Sequence, residues 1–221
     1  MSLVNRAESR SLSWQKHWTP RYAFFRTRQL CYERTHPDDP WLTPDAIRLL
    51  SGMLRPSDRG VEFGSGRSTV WFAERVAHLT SVEEDERYHR ATADALARRG
   101  LDNVDLVLAP YDVPEHLGDR SAYVGTLARF HESSLDFALI DGAYRAYAAR
   151  LAMTRIKPGG LLIVDNVDWY LPSRSRSYGP AARPAAEGPD PLWRDLAPEL
   201  DEWRTIWTGS GVWDTAIFVR P

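Results

Sequence analysis

"GVEFGSGRSTVWFAE", residues 60–74, decides how this chain is read. "GVEF" has the character of a short strand and "STVWFAERVA" that of a helix, with Gly64, Ser65 and Gly66 between them. A strand that enters a glycine turn and leaves as a helix lets a ligand come close to the backbone and meet the free N–H groups of the helix start. In a parallel α/β sheet such a turn lies at the carboxyl end of a strand, near the point where strand order reverses.

Outward from that turn, short β-rich runs alternate with helical stretches, the pattern of a parallel α/β sheet. "PWLTPDAIRLLSGMLR" reads as a preceding helix with Thr43 as N-cap and Pro44 at the first helical position. "HLTSVE" makes a second strand, followed by a helix capped by Asp85 and stopped by Gly100. "VDLVLA" is a third strand and "SAYVGTLARFHE" a helix; "LDFALID" is a buried fourth strand and "YRAYAARLAMTRI" its helix. "GGLLIVDN" is a fifth strand after a Pro158-Gly159-Gly160 turn. Residues 171–191, rich in Pro, Ala, Ser and Arg, carry no periodicity and read as a long loop. "EWRTIWT" and "GVWDTAIFVR" then form a terminal antiparallel hairpin.

The ligand class follows from a few residues. Glu83 closes the second strand, where a carboxylate can accept hydrogen bonds from both ribose hydroxyls. A dinucleotide fingerprint wants a third small residue where Thr69 stands. Glu62, where the first strand meets the turn, would repel a pyrophosphate but suit the cationic amino group of a methionine moiety. These features favour S-adenosylmethionine over NAD.

With these motifs in place, the sequence resembles the class I S-adenosylmethionine-dependent methyltransferases over roughly residues 41–220. "VEFGSGRST" is similar to their first motif and "TSVEED" to the second-strand acidic motif. "LDFALIDG" is similar to the fourth-strand motif, "KPGGLLIVDN" to the turn and fifth strand, and "WDTAIF" to the closing strand. The resemblance implies a Rossmann-like doubly wound seven-stranded sheet, order 3-2-1-4-5-7-6 with the last strand antiparallel, and an N-terminal helical arm. It implies a donor site from Glu62, Gly64, Ser65, Gly66, Ser68, Thr69, Glu83, Glu84 and Asp141, with Asp112 at an adenine-binding position.

A narrower resemblance joins Asp141, Asp165 and Asn166 to the metal positions of catechol, caffeoyl-CoA and macrocin-type O-methyltransferases. Two carboxylates and an amide carbonyl are hard oxygen ligands suited to Mg²⁺, which would lower the pKa of a bound hydroxyl. The alternative is ordinary polar strand ends. The catechol type keeps a lysine base three positions after the first aspartate, and here that place holds Tyr144. Arg145 is a poor substitute because it stays protonated, so the candidate catalytic set is Asp141, Tyr144 and Arg145.

The expected activity is methyl transfer to a small-molecule acceptor, hydroxylated or anionic, most readily at oxygen. A non-catalytic S-adenosylmethionine-binding module and an NAD-dependent oxidoreductase are the alternatives; for an aminopropyl transferase the chain shows no paired acidic residues arranged for a polyamine.

Composition sets the frame: 221 residues, 43% hydrophobic and 26% charged, suit one globular domain. The division expected is an arm over residues 1–40, a lid or homodimer contact, and a methyltransferase domain over 41–221. A net charge of −2 gives no wholesale case for nucleic acid. Residues 1–35 nevertheless carry seven basic groups against Glu8 and Glu33, which read as a solvated face or as a contact for an anionic partner. The lone Cys31 and the absence of a long apolar run point to a reducing, cytoplasmic setting with no membrane span. His116 and His131 flank the segment after the third strand, and Arg174, Arg176 and Arg183 lie in the long loop beside the expected acceptor site.

Overall fold

The computed structural model describes residues 19–172, 177 and 191–221. Seven strands form one sheet: β1 (Arg59–Phe63), β2 (His78–Glu83), β3 (Val104–Leu108), β4 (Leu135–Ile140), β5 (Ile156–Asp165), β6 (Arg204–Gly209) and β7 (Asp214–Val219). Their order is β3-β2-β1-β4-β5-β7-β6. The first five run parallel, and β7 enters antiparallel between β5 and β6. The expected order is therefore borne out, with the reversal point between β1 and β4.

The strands are buried on both faces because their side chains alternate between two apolar layers. Val61, Phe63, Ala138, Ile140, Leu162 and Val164 point to one layer. Phe137, Leu139, Leu161, Ile163 and Ile217 point to the other. The second layer receives Ile47 and Leu50 from α2 (Pro44–Met53) and Trp71 and Phe72 from α3 (Arg67–Ala73). The first receives Tyr123 and Val124 from the short α5 (Ala122–Gly125), Ala148 and Met153 from α6 (Arg145–Arg155), and Trp193 and Leu196 from α7 (Pro191–Asp201). Between β2 and β3, α4 (Glu86–Arg99) begins with Asp85, which accepts from the N–H groups of Arg87 and Tyr88, and ends on left-handed Gly100.

Local expectations are corrected in four places. Thr43 stands at the N-cap of α2, but its hydroxyl makes no cap bond; it meets the Thr208 hydroxyl at 2.5 Å, and the Thr43 N–H donates to Thr215 Oγ1. The helix is thereby stapled to the terminal hairpin. The helix expected over 121–132 breaks into α5 and a 3-10 turn at Thr126–Arg129. Pro158-Gly159-Gly160 is no turn ahead of β5 but part of it, with a register shift against β4. Finally, α7 was not expected, although Trp193, Leu196 and Leu200 follow helical spacing after Pro191 and are all buried; the adjoining Pro-rich run masked that signal.

The described part of the N-terminal arm is α1 (Pro20–Thr35), an N-capped helix whose one buried residue is Gln29. Its Phe25 ring lies against Gly211 in the β6–β7 turn. Residues 1–18, Arg174, Arg176 and Arg183 lie outside the described residues. No helix among the described residues is long and apolar enough to cross a membrane.

Candidate active site

The carboxyl ends of β1, β2, β4 and β5 converge on one edge of the sheet. After β1 the chain turns at Gly64, whose φ of +95° favours glycine. A side chain there would also come within 3.0 Å of the Asp141 and Gly142 backbone. The turn is held from β2: Glu83 Oε2 accepts from the Ser65 N–H at 2.7 Å and the Ser65 hydroxyl at 2.9 Å. Glu83 Oε1 accepts from the Asp85 N–H at 3.0 Å. Both oxygens keep further acceptor capacity, since a carboxylate offers about four lone-pair sites.

Beneath the turn, Glu62 is wholly buried. Its Oε2 accepts from the Thr69 hydroxyl at 2.7 Å and the Ser81 hydroxyl at 2.8 Å, while Thr69 Oγ1 in turn accepts from the Gly66 N–H. Burial raises the Glu62 carboxyl from 4.5 to about 7, against the pull of the Ser68, Thr69 and Ser81 hydroxyls. Thr69, expected as a ligand-contacting residue, is thus a link between the turn and a buried acid.

Over the turn opens a cavity of about 790 Å³. Gly64, Ser65, Gly66, Ser68, Glu83, Glu84 and Asp141 line it, so seven of the residues expected around the donor come together. Glu62 and Thr69 support it from below and are not part of its lining. Glu84 has a buried oxygen with no protein partner, and burial followed by the charge of Glu83 raises its carboxyl. The cavity continues between α3 and α4 to Trp41, over whose ring the Arg67 guanidinium stands at 5.3 Å.

Asp112 does not join this lining. Its carboxylate accepts from the Ala122 N–H at 2.8 Å, at the start of α5. His116 and His131 are exposed, and the bonds they make here are through their backbone carbonyls, to Tyr147 and Ser134.

A second, smaller cavity of about 220 Å³ adjoins Gly142, walled by Tyr111, Tyr144, Arg145, Tyr170 and Trp193. Tyr170 and Trp193 stack at 5.2 Å. Tyr144 sits in the left-handed region at φ +47°, unusual for so bulky a residue. Its hydroxyl donates to the Val113 carbonyl at 2.6 Å. That bond commits the proton and the orientation of Tyr144, expected as a catalytic group, to the backbone after β3.

The expected metal ligands are arranged around Arg145. Its guanidinium donates to the Asp141 carboxylate at 2.8 Å, the Asp141 carbonyl at 2.7 Å, the Asp165 carbonyl at 2.7 Å and Asn166 Oδ1 at 3.3 Å. Its Nε donates to the Gly142 carbonyl at 3.1 Å. The Asp165 carboxylate is buried and accepts from the Thr215 hydroxyl. Burial pushes it well above the usual range, and the charge of Asp141 adds to the shift. Burial also raises Asp141, with Arg145 pulling the other way. Among the described residues no group of three or more His, Cys, Asp and Glu is placed to hold a metal ion. Mg²⁺ wants octahedral oxygen at 2.0–2.1 Å; here a fixed cation already stands on the Asp141 carboxylate and the Asn166 amide oxygen, and the Asp165 carboxylate is turned to Thr215. The set does not fit the ion, which corrects the expectation of Asp141, Asp165 and Asn166 as its ligands.

Residues 61–167 match the family model described as "Methyltransferase domain". Over that stretch, 107 of the 221 residues, the chain is similar to a methyltransferase domain. The match runs from within β1 to just past β5, the part that builds the glycine turn and most of the lining of the larger cavity. Among solved structures, the chain is similar to a candidate caffeoyl-CoA O-methyltransferase from Staphylococcus aureus, with a TM-score of 0.56 at 15% identity over 95% of this chain and 97% of that one. It is similar to a candidate methyltransferase from Streptococcus mutans in complex with SAH, with a TM-score of 0.52 at 13% identity over 78% and 94%. An rRNA methylase from Streptococcus thermophilus gives 0.50 at 14% over 78% and 92%. At these identities the likeness is one of fold. No curated protein matches the sequence.

Proposed function

We propose that this chain binds S-adenosylmethionine over the Gly64–Gly66 turn and methylates a hydroxyl of a small molecule seated in the cavity beside Gly142. The observation that carries this reading is the large cavity over the turn, with the Glu83 and Glu84 carboxylates and Asp141 along it. Glu83, Glu84 and Asp141 supply acceptors for the ribose hydroxyls and the amino group, and the Ser65 turn is fixed by Glu83 before any ligand arrives. Bound there, the donor supplies an electrophilic methyl group on a cationic sulfur.

The chain's own part is positioning, which accounts for much of the acceleration in bimolecular displacement. The Tyr111, Tyr170 and Trp193 rings exclude water and orient a flat acceptor. Asp141, half-buried in the larger cavity beside Gly142, which lines both, is the candidate proton acceptor, and its raised pKa brings it nearer the working pH of a general base. A small acceptor is supported by the size of the smaller cavity, about 220 Å³; the likeness to an rRNA methylase leaves nucleic acid as the competing acceptor.

Calorimetry with S-adenosylhomocysteine and NADH tests the donor. The former is expected to bind and the latter not; the reverse would turn the reading to an oxidoreductase. Labelled methyl transfer to hydroxylated small molecules, with RNA as the parallel arm, tests the acceptor. Label in RNA alone would sink the small-molecule reading, and donor binding without transfer to anything would favour a binding module. Asp141→Asn is expected to lower kcat at least tenfold and to weaken donor binding, with the loss in kcat marking its part as proton acceptor.

A further inference from the structure

We infer that the Arg145 guanidinium is a resident cation occupying the place a divalent metal takes in metal-dependent relatives of this fold, so that this site is held and charged by a side chain. Arg145 opens α6, directly after the left-handed Tyr144, and that backbone geometry projects it across the ends of β4 and β5. A guanidinium has five N–H donors. All five are accounted for: one to the Gly142 carbonyl, two to Asp141, one to the Asp165 carbonyl and one to Asn166 Oδ1. The planar fork thus ties the two strand ends together, as an ion would by drawing oxygens inward.

Three further features agree. Asp141 and Arg145 form a largely buried ion pair. The Asp165 carboxylate, which a metal would need, is turned to the Thr215 hydroxyl of β7. Asn166 holds a left-handed conformation, φ +51°, with its amide oxygen on the guanidinium. With no N–H left over, Arg145 acts through Asp141 and Asn166 and is a positioning residue. Acceptor activation then falls to Asp141, which favours acceptors whose hydroxyl ionises without a metal.

The inference deepens the methyl-transfer reading, but its test reads metal affinity and not turnover, so the two can fail separately. Mn²⁺ is titrated into the full chain at neutral pH, and free ion is followed by electron paramagnetic resonance. The wild type is expected to bind no Mn²⁺ at this site up to millimolar concentration. Arg145→Ala exposes the oxygens the guanidinium covered and is expected to bind one equivalent at least tenfold tighter than wild type, a gain that Asp141→Asn added to it removes. A merely structural arginine would not create a metal site when removed. If Arg145→Ala fails to fold, Arg145→Gln, which keeps hydrogen bonding without charge, serves in its place. One Mn²⁺ bound tightly by the wild type and lost in Asp141→Asn would overturn the inference. So would a folded Arg145 variant with no more affinity than wild type.

Discussion

At the scale of single residues, the cost of the site is concentrated in Glu62. A carboxyl taken fully out of water stays near neutral, and the rise from 4.5 to about 7 corresponds to roughly 3 kcal/mol between its two protonation states. Because the folded value lies above the unfolded one, the native state holds the extra proton between those pH values, and this contribution to stability is lost as pH rises through about 7. Glu62→Gln is therefore expected to be more stable than wild type at pH 8, by about 1–3 kcal/mol, and to show a shallower loss between pH 5 and pH 8. Asp165, also raised by burial, keeps part of the slope. Denaturant melts at the two pH values decide it; equal slopes in the two proteins would remove Glu62 from the account. Glu62 was legible as a carboxylate where the first strand meets the turn. Its Thr69 and Ser81 partners were not, because they reach it from α3 and β2.

At the scale of elements, the donor turn and the end of β4 are two backbones in contact. A β-carbon on Gly142 would lie 1.9 Å from the Tyr123 hydroxyl and 2.7 Å from the Gly64 nitrogen. Neither can yield easily: Tyr123 is fully buried and its oxygen accepts from the Ala143 N–H. Gly142→Ala is expected to lose about 1–3 kcal/mol of stability by overpacking and to weaken S-adenosylhomocysteine binding at least tenfold, as measured by melts and calorimetry. Unchanged affinity would show that the turn tolerates displacement. The glycines of the turn were readable as a close-approach signal, whereas Gly142 has no signature of its own. Its need for a missing side chain arises only when β1 and β4 pair. The Tyr144 position shows the same limit: three residues past Asp141 it aligns with a base, but the left-handed entry into α6 sends its hydroxyl to Val113.

At the scale of the whole molecule, the terminal third completes what the parallel strands begin. Trp193 on α7 is fully buried in the layer shared with β4, β5 and α6, and also stacks on Tyr170 in the wall of the smaller cavity. Trp193→Ala is expected to cost about 3–5 kcal/mol, read from denaturant midpoints, and to open the acceptor wall while leaving the donor turn intact. A variant with both donor affinity and stability lost would instead make α7 part of the donor site. The sequence alone determined the strands and the glycine turn, because period-two burial and glycine punctuation are local patterns written along one segment; the strand order came from the resemblance to a family, since no local pattern says which strands are neighbours. It also pointed to the strand ends where chemistry collects. Only the tertiary structure decided what stands there. Arg145, Asp141 and Asn166 meet because β4 and β5 pair in one register, and hydrogen-bond geometry across strands has no trace in the order of residues along them. Where a resemblance led the sequence to be read as a metal set, Asp141 and Asn166 hold a guanidinium in space.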